Sequence, residues 1–487
     1  MQKHTGVKDH TEQNLVATQT LDDGIRSVPA HSEALPESVT ELLAQFVATT
    51  SGDILTPDVS EKLKVLLLDY LGVSASAGLS AESSEKFVDG ITSFSGAAEG
   101  RNTVLTKGSK FPQQYAALLN GAFCHTYDFD DTHSNAVLHP GSSLISAALS
   151  QAETQNVSGR ELLLSLAVGY EVACRVGAAL GVGAYKRGFH NTGTVGIYGS
   201  IAAICKLRGS SQHIVKDAFG LALSKAAGSM QFLENGSWNK RLHPGFAAHD
   251  ALLCVSLAEA GVLGASEAFE GKYGLLHNYS ESGDPSRITK RLGEEWTFLE
   301  TACKPFPACR MTHGQLEMVG KWRKVHEARG IPTSITVTLP TNSFPIVGLP
   351  ARNKIRPECI VDAQFSSYFQ VAASWLYGTN LGWAIYEKIH DKRVLELCER
   401  VKCEMDGTYN ALESRMKIIF PDGTTVEDEI LVPIGEPERP FEWDTGVKEK
   451  FLGLAEPVYR RNKCEKICSV VKAIESHGAA ELMTLLA

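Results

Sequence analysis

Several common signatures are missing from this chain of 487 residues, and each absence closes off a class of function. There is no basic surplus: 47 Lys and Arg stand against 56 Asp and Glu, a formal charge of −9. That argues against non-specific nucleic-acid binding, because phosphate contacts need a positive field. The cysteines never form a CxxC pair, and Cys174, Cys205 and Cys254 lie in apolar helical sequence. They are expected to be reduced thiols of a cytoplasmic protein, not a disulfide framework. No uninterrupted apolar run reaches the length of about 18 residues that a membrane span needs. The opening MQKHTGVKDHTEQN also lacks a signal peptide's apolar region, so a soluble protein with no membrane partner is expected. Without a GxxxxGK[ST] loop or a GxGxxG after a strand, nucleotide binding has no support. The absence of a GxSxG elbow disfavours covalent acyl chemistry, and the absence of HExxH weakens metal ligation.

What is present is helix in quantity. Residues 1–33 are polar and aperiodic, and are expected to form a disordered extension. From there small residues dominate a run of helical segments, expected at 38–48, 58–70 with Gly72 as its stop, 84–98, 112–125, 141–154, 159–178, 193–206, 212–227 and 244–261. After Lys304 the pattern changes. The alternation Ile335, Val337, Leu339 reads as a strand, VKCEMDG (401–407) as another, and 415–423 with 424–432 as a hairpin turned at Asp422–Gly423. The fold expected is mostly α: an all-helical domain over 34–298, an α+β unit over 299–435, and C-terminal helices over 436–487 that return to the helical domain.

The densest chemistry lies in GAFCHTYDFDDTHSNAVLHP (121–140), with Asp128, Asp130, Asp131, Thr132, His133 and His139 close together. A polar loop capping the next helix is one explanation. The apolar flanks favour the other, an interior cluster kept for function. His190 opens GFHNTGTVG at a helix start, Lys240, Arg241 and His243 precede an apolar helix, and Lys304, Arg310 and His313 surround a Pro-rich bend between the domains. If Asp128, His139, His190, Lys240 and Lys304 meet in an interdomain cleft, the site suits a small di- or tricarboxylate.

These segments resemble the MmgE/PrpD family, which includes 2-methylcitrate dehydratase, cis-aconitate decarboxylase and iminodisuccinate epimerase. The landmarks are LLLDYLGVSASA (66–77), YDFDDTH with LHPGS (127–142), GFHNTGTVG (188–196), Lys240 continuing into PGFAAH, KPFPACRMTH (304–313) and AQFSSYFQVAASW (363–375). The resemblance spans residue 36 to the end. It implies a large all-helical domain with a smaller α+β lid, a homodimer, and no required metal or organic cofactor. It places Asp128, Thr132, His139, His190, Lys240 and Lys304 on active-site positions of the decarboxylase branch. Two positions depart from the animal-type decarboxylase, Cys309 standing for a histidine and Phe344 for a tyrosine.

Because both departures remove polar groups, the activity expected is a cofactor-free hydro-lyase acting on 2-methylcitrate or a related 2-alkylcitrate. Lys240 and Lys304, helped by Arg310, would neutralise substrate carboxylates. Asp128 or His190 would be the base, His139 the acid that helps hydroxide leave, and Thr132 would orient an oxygen, with Cys309 and Phe344 lining the substrate. The alternatives are decarboxylation of cis-aconitate to itaconate, epimerisation of an imino- or amino-dicarboxylate, and non-catalytic tricarboxylate binding.

Overall fold

A computed structural model describes residues 38–96, 100–410 and 412–487; the extension expected over 1–33 lies outside them. The first helix, α1 (Val39–Thr49), starts where the Ser38 side chain accepts from the Glu41 N–H. The next, α2 (Pro57–Ser80), is capped by Thr56 and opened by Pro57. It runs straight through Gly72, which does not stop it. A Cβ at Gly72 would lie 3.1 Å from the Phe451 Cα, so this glycine serves a close helix crossing.

A short helix α3 (Ser84–Ser95) follows, then a two-residue hairpin of β1 (Asn102–Thr103) and β2 (Lys110–Phe111). The helical body is then built from α4 (Gln113–Thr126), α5 (Gly141–Gln155), α6 (Gly159–Lys186), α7 (Asn191–Thr194), α8 (Gly196–Arg208), α9 (Gln212–Ala222), α10 (Phe232–Asn235) and α11 (Asn239–Glu259). Two short helices, α12 (Leu275–Tyr279) and α13 (Ser286–Thr289), close it.

The helix expected from Pro244 begins five residues earlier, at Asn239. Pro244 thus lies in the second turn, as the sixth helical residue, where it forgoes the hydrogen bond to the Lys240 carbonyl. Lys240 and His243 are thereby carried on the helix and not ahead of it. α11 crosses α4 at a glycine contact: a Cβ on Gly245 would sit 2.4 Å from the Leu118 carbonyl oxygen, and one on Gly121 would sit 3.0 Å from the Gly245 Cα. Small residues here let the backbones touch, which brings the groups on both helices within reach of one another.

Two helices, α2 and α6, are long and apolar enough to cross a membrane, but 78% and 89% of their most apolar stretches are buried within the protein. Both contribute to its core.

The α+β part begins with α14 (His313–His326) and β3 (Ser334–Pro340), and continues through α15 (Arg352–Ile355), α16 (Ile360–Gln364), α17 (Ser367–Tyr377) and α18 (Lys392–Cys398). The strands β4 (Val401–Asp406), β5 (Ser414–Ile419) and β6 (Thr425–Ile430) complete a sheet of order β4-β3-β5-β6. β3 runs parallel to β4 and antiparallel to β5, and β5–β6 is the hairpin through Asp422–Gly423. Ile335, Val337 and Leu339 of β3 and Met416 and Ile418 of β5 are buried in a core shared with α14 and α17. The helical stretch breaks between α16 and α17 at Phe365–Ser366, where Ser366 caps α17. The last helices, α19 (Lys448–Lys472) and α20 (Ala479–Leu486), pack into the core that holds α2, α5 and α6.

Candidate active site

The site is organised by the turn between α4 and α5. Asp128 has a left-handed backbone (φ 51°), which costs a non-glycine residue about 1–3 kcal/mol. Lys304 offsets that cost. Its fully buried ammonium donates to the Asp128 carbonyl at 2.5 Å and to Oδ1 at 2.8 Å. From α11, Lys240 brings its Nζ to 3.0 Å from the same Oδ1. This contact is an ion pair, and Lys240 Nζ makes no hydrogen bond among the described residues.

The turn is held on three further sides. Gln364 of the α+β part donates to the Tyr127 carbonyl at 3.1 Å, Lys450 of α19 to the Phe129 carbonyl at 2.7 Å, and Thr132 exchanges backbone hydrogen bonds of 2.9 and 2.7 Å with Ala302. Asp131 accepts from the Tyr170 hydroxyl at 2.6 Å and from the Gly141 N–H at 3.0 Å.

Imidazoles surround the turn. His125, in the last turn of α4, hydrogen-bonds Asp130 Oδ2 at 2.7 Å. His139 places Nδ1 3.1 Å from Asp130 Oδ1 and Nε2 3.6 Å from Asp128 Oδ1. His190 precedes α7, stacks on His125 with ring centres 5.4 Å apart, and pairs its Nδ1 with His243 Nδ1 at 3.0 Å.

Electrostatics sets the protonation states. Burial alone would raise Asp128, but Lys240 and Lys304 overrule it and hold the carboxyl well below the usual carboxylate range. Asp130 is likewise held down, against burial, by His125 and His139. Asp131 is pushed by burial up to about 7. Burial lowers His125 to about 3 despite Asp130, His243 to about 4, and His190 well below its ordinary value. Burial raises the Cys309 thiol to about 11, so it stays uncharged.

Among the described residues, Asp128 Oδ2, Thr132 Oγ1 and His125 Nε2 are sealed without a hydrogen-bond partner, and Asp130 Oδ1, His139 Nδ1 and Lys240 Nζ have only the ion-pair contacts given above. Leaving such groups unsatisfied costs about 1–3 kcal/mol each, and a small polar ligand would relieve that cost. Of the residues singled out from sequence, Asp128, His139, His190, Lys240 and Lys304 come together here, and Thr132 lies on the same turn, held by its backbone bonds to Ala302. Cys309 accompanies them, with a backbone bond to the Gln364 carbonyl at 3.0 Å. Arg310 does not join them: its guanidinium is committed to Glu436 at 2.7 Å, to the Ile434 carbonyl and to His313. Phe344 packs against the α+β core, and the ring that faces Lys240 is Phe365, 5.7 Å from its Nζ.

Sequence reasoning assigned no role to His125, Asp130 or His243. All three stood inside segments already marked as informative, and the missing signal was the α4–α11 crossing. His125, Asp130 and His139 each offer a donor atom within 4.8 Å of the others, a spacing a metal ion can bridge. Only one of the three is a carboxylate, and Lys240 adds positive charge beside His125. Two imidazoles and a carboxylate are a donor set that suits Zn2+ or Fe2+, whereas the ammonium of Lys240 opposes a cation and favours a small carboxylate anion at this point.

Comparison with known proteins agrees with this geometry. The MmgE/PrpD N-terminal domain matches residues 41–288 and the MmgE/PrpD C-terminal domain residues 306–476. A cis-aconitate decarboxylase-like protein of Aspergillus oryzae is 29% identical over 483 residues, covering 93% of this chain and 98% of its own length. Cis-aconitate decarboxylases of Aspergillus terreus and Homo sapiens are each 27% identical, covering 90% and 92% of this chain and 93% and 94% of their own. These whole-length similarities overturn the expectation of a 2-methylcitrate dehydratase, which had rested on Cys309 and Phe344. Matched along most of its length by both domain models, and over nine-tenths of it by decarboxylases and a decarboxylase-like protein, this chain is an enzyme of the lyase class and belongs to the MmgE/PrpD family.

Proposed function

We propose that the protein decarboxylates cis-aconitate, or a close tricarboxylate, to itaconate or its counterpart. The observation that carries this is the clamp on Asp128: two ammonium groups on one carboxylate oxygen, one of them with unspent donors. A carboxyl so strongly held down is a poor base near neutral pH, which takes Asp128 out of the role that dehydration would give it. Decarboxylation needs cations and a proton donor, and both are at hand.

The carboxylate on the saturated carbon leaves as CO2. Its bonding pair moves across the alkene to the carbon beside the far carboxylate, and that carbon takes a proton. Lys240 and Lys304 stabilise the spreading negative charge, Thr132 Oγ1 donates to a carboxylate oxygen, and His139 or His190 delivers the proton. The test is direct: purified enzyme given cis-aconitate in deuterium oxide should release CO2 and yield product with one non-exchangeable deuterium. Substrate returned intact, with no CO2, would end this proposal.

Two further properties belong to it. All eleven cysteines are free, which supports a reducing, cytoplasmic setting. On α11, Phe246, Leu253 and Leu257 are 50%, 43% and 37% exposed, and their spacing puts them on one stripe. An apolar stripe of this kind supports self-association as a homodimer.

A further inference from the structure

The reaction proposed above consumes a proton at each turnover, because a trianion becomes CO2 and a dianion. That proton must cross from water to a site whose side chains are almost wholly covered. Each imidazole that donates must also be recharged, so the path inward is part of the chemistry.

Four imidazoles make a chain in space. His139 and His125 have ring centres 4.7 Å apart, His125 and His190 5.4 Å, and His190 and His243 5.2 Å. Exposure rises on one side of His125, from 1% there to 4% for His190 and 8% for His243, while on the other side the His139 side chain is 15% exposed. Only the outer pair is joined ring to ring by a hydrogen bond, Nδ1 to Nδ1 at 3.0 Å. Phe232 flanks both, 5.8 Å from His190 and 6.1 Å from His243, and its apolar ring keeps water away from their side.

Such a pair has one function that a lone histidine lacks. With both Nδ1 atoms spent on each other, His190 exchanges protons with the site through Nε2, and His243 exchanges with solvent through its own Nε2. A proton bound at the outer Nε2 releases the shared one inward to the inner Nδ1 as the inner Nε2 gives its proton to carbon, and a half-turn of both rings then restores the starting arrangement for the next turnover. Both rings are held neutral by burial, as described above, so the transfer leaves no imidazolium standing in the interior.

We infer that His243 is a relay residue which recharges His190 with the proton that decarboxylation consumes, across the direct imidazole–imidazole hydrogen bond. This rests on the decarboxylation proposed above. The electron pair freed by the departing CO2 forms the new C–H bond, His190 supplies that proton, and His243 replaces it from water.

The experiment uses the full-length enzyme and its His243→Phe and His243→Asn variants, with CO2 release followed in H2O and D2O. CO2 from the unaltered enzyme decides the decarboxylation first. The relay predicts that His243→Phe lowers kcat by about 10- to 100-fold, the lower end of what a positioned acid–base group contributes, with KM within about threefold. It predicts a larger solvent isotope effect on kcat, and recovery of kcat by added imidazole in a saturable way. His243→Asn, which can hold a hydrogen bond but not pass a proton, should behave like His243→Phe. No CO2 from the unaltered enzyme would sink both ideas. CO2 release with unchanged kcat in the variants, or a loss that neither imidazole nor solvent deuterium affects, would sink the relay alone.

Discussion

Lys304 donates to Asp128 twice, once to its carbonyl and once to its carboxylate, across 176 residues of sequence. The same ammonium therefore stabilises a left-handed turn and compensates the charge that the turn presents. Structure and electrostatics at this point are one interaction.

Replacing Lys304 by Met should consequently do two kinds of damage. We expect kcat/KM for cis-aconitate to fall by about 100-fold or more, the usual effect of losing a preorganised charge-stabilising donor. Stability should fall by about 3 kcal/mol as a buried charge loses a partner, softened by the remaining Lys240. Steady-state CO2 release and urea unfolding measure the two, and an effect on only one of them would separate the roles joined here.

Asp131 gives a pH dependence of definite sign. Its native carboxyl keeps its proton to about pH 7, whereas in the unfolded chain it ionises near pH 4. Between those values the native state binds more protons, so this residue's contribution to stability is full at low pH and declines by up to about 4 kcal/mol as pH rises towards 7. Asp131→Asn should abolish the decline, so the stability difference between variant and parent should grow in the variant's favour from pH 4 to 7. Parallel curves in urea titrations across that range would contradict this.

Arg310 was expected at the substrate but is bound to Glu436, with side chains only 7% and 10% exposed. Arg310→Met should cost about 3 kcal/mol of stability, because Glu436 loses its buried partner. KM for cis-aconitate should stay within a few-fold of the parent value. A large rise in KM without loss of stability would return the arginine to the substrate.

The α4–α11 crossing predicts a contrast between two glycines. Gly245→Ala must push α11 away from the Leu118 carbonyl and should cost about 1–3 kcal/mol, with activity reduced further because Lys240 and His243 move with the helix. Gly453, in α19, has nothing within 4 Å of an added Cβ. There Gly→Ala should be neutral or stabilising by about 0.5–1 kcal/mol. Calorimetric Tm values and kcat/KM for both variants check this.

The exposed stripe on α11 makes Phe246→Glu the discriminating change for self-association. The parent should elute at twice the chain mass in size exclusion with light scattering, and the variant at the monomer mass. A monomeric parent would remove the dimer from the proposal.

Local features of this fold were legible in the sequence because local physics decides them. The alternation of Ile335, Val337 and Leu339 produced a strand, and Asp422–Gly423 turned a hairpin with Gly423 at φ 82°. Gly72 and Pro244 were misjudged as helix boundaries because their roles are set from outside the helix, by Phe451 in one case and by a start at Asn239 in the other. His125 was passed over because a histidine in small apolar helical sequence has the pattern of core until α11 is seen beside it. The meeting of Lys304 with Asp128 has no local signature, and rested on the supposition of an interdomain cleft and on the family resemblance.

The support that Lys450 gives the Phe129 carbonyl spans 321 residues. During synthesis, the loop bearing Asp128 emerges long before the segment that props it has been translated. A chain still attached to the ribosome must therefore carry that loop unsupported, with much of the surface later covered by α19 open to chaperones. Assembly of this site is an event of late translation, and ribosome-bound chains arrested before residue 450 should hold a folded helical core without a finished centre.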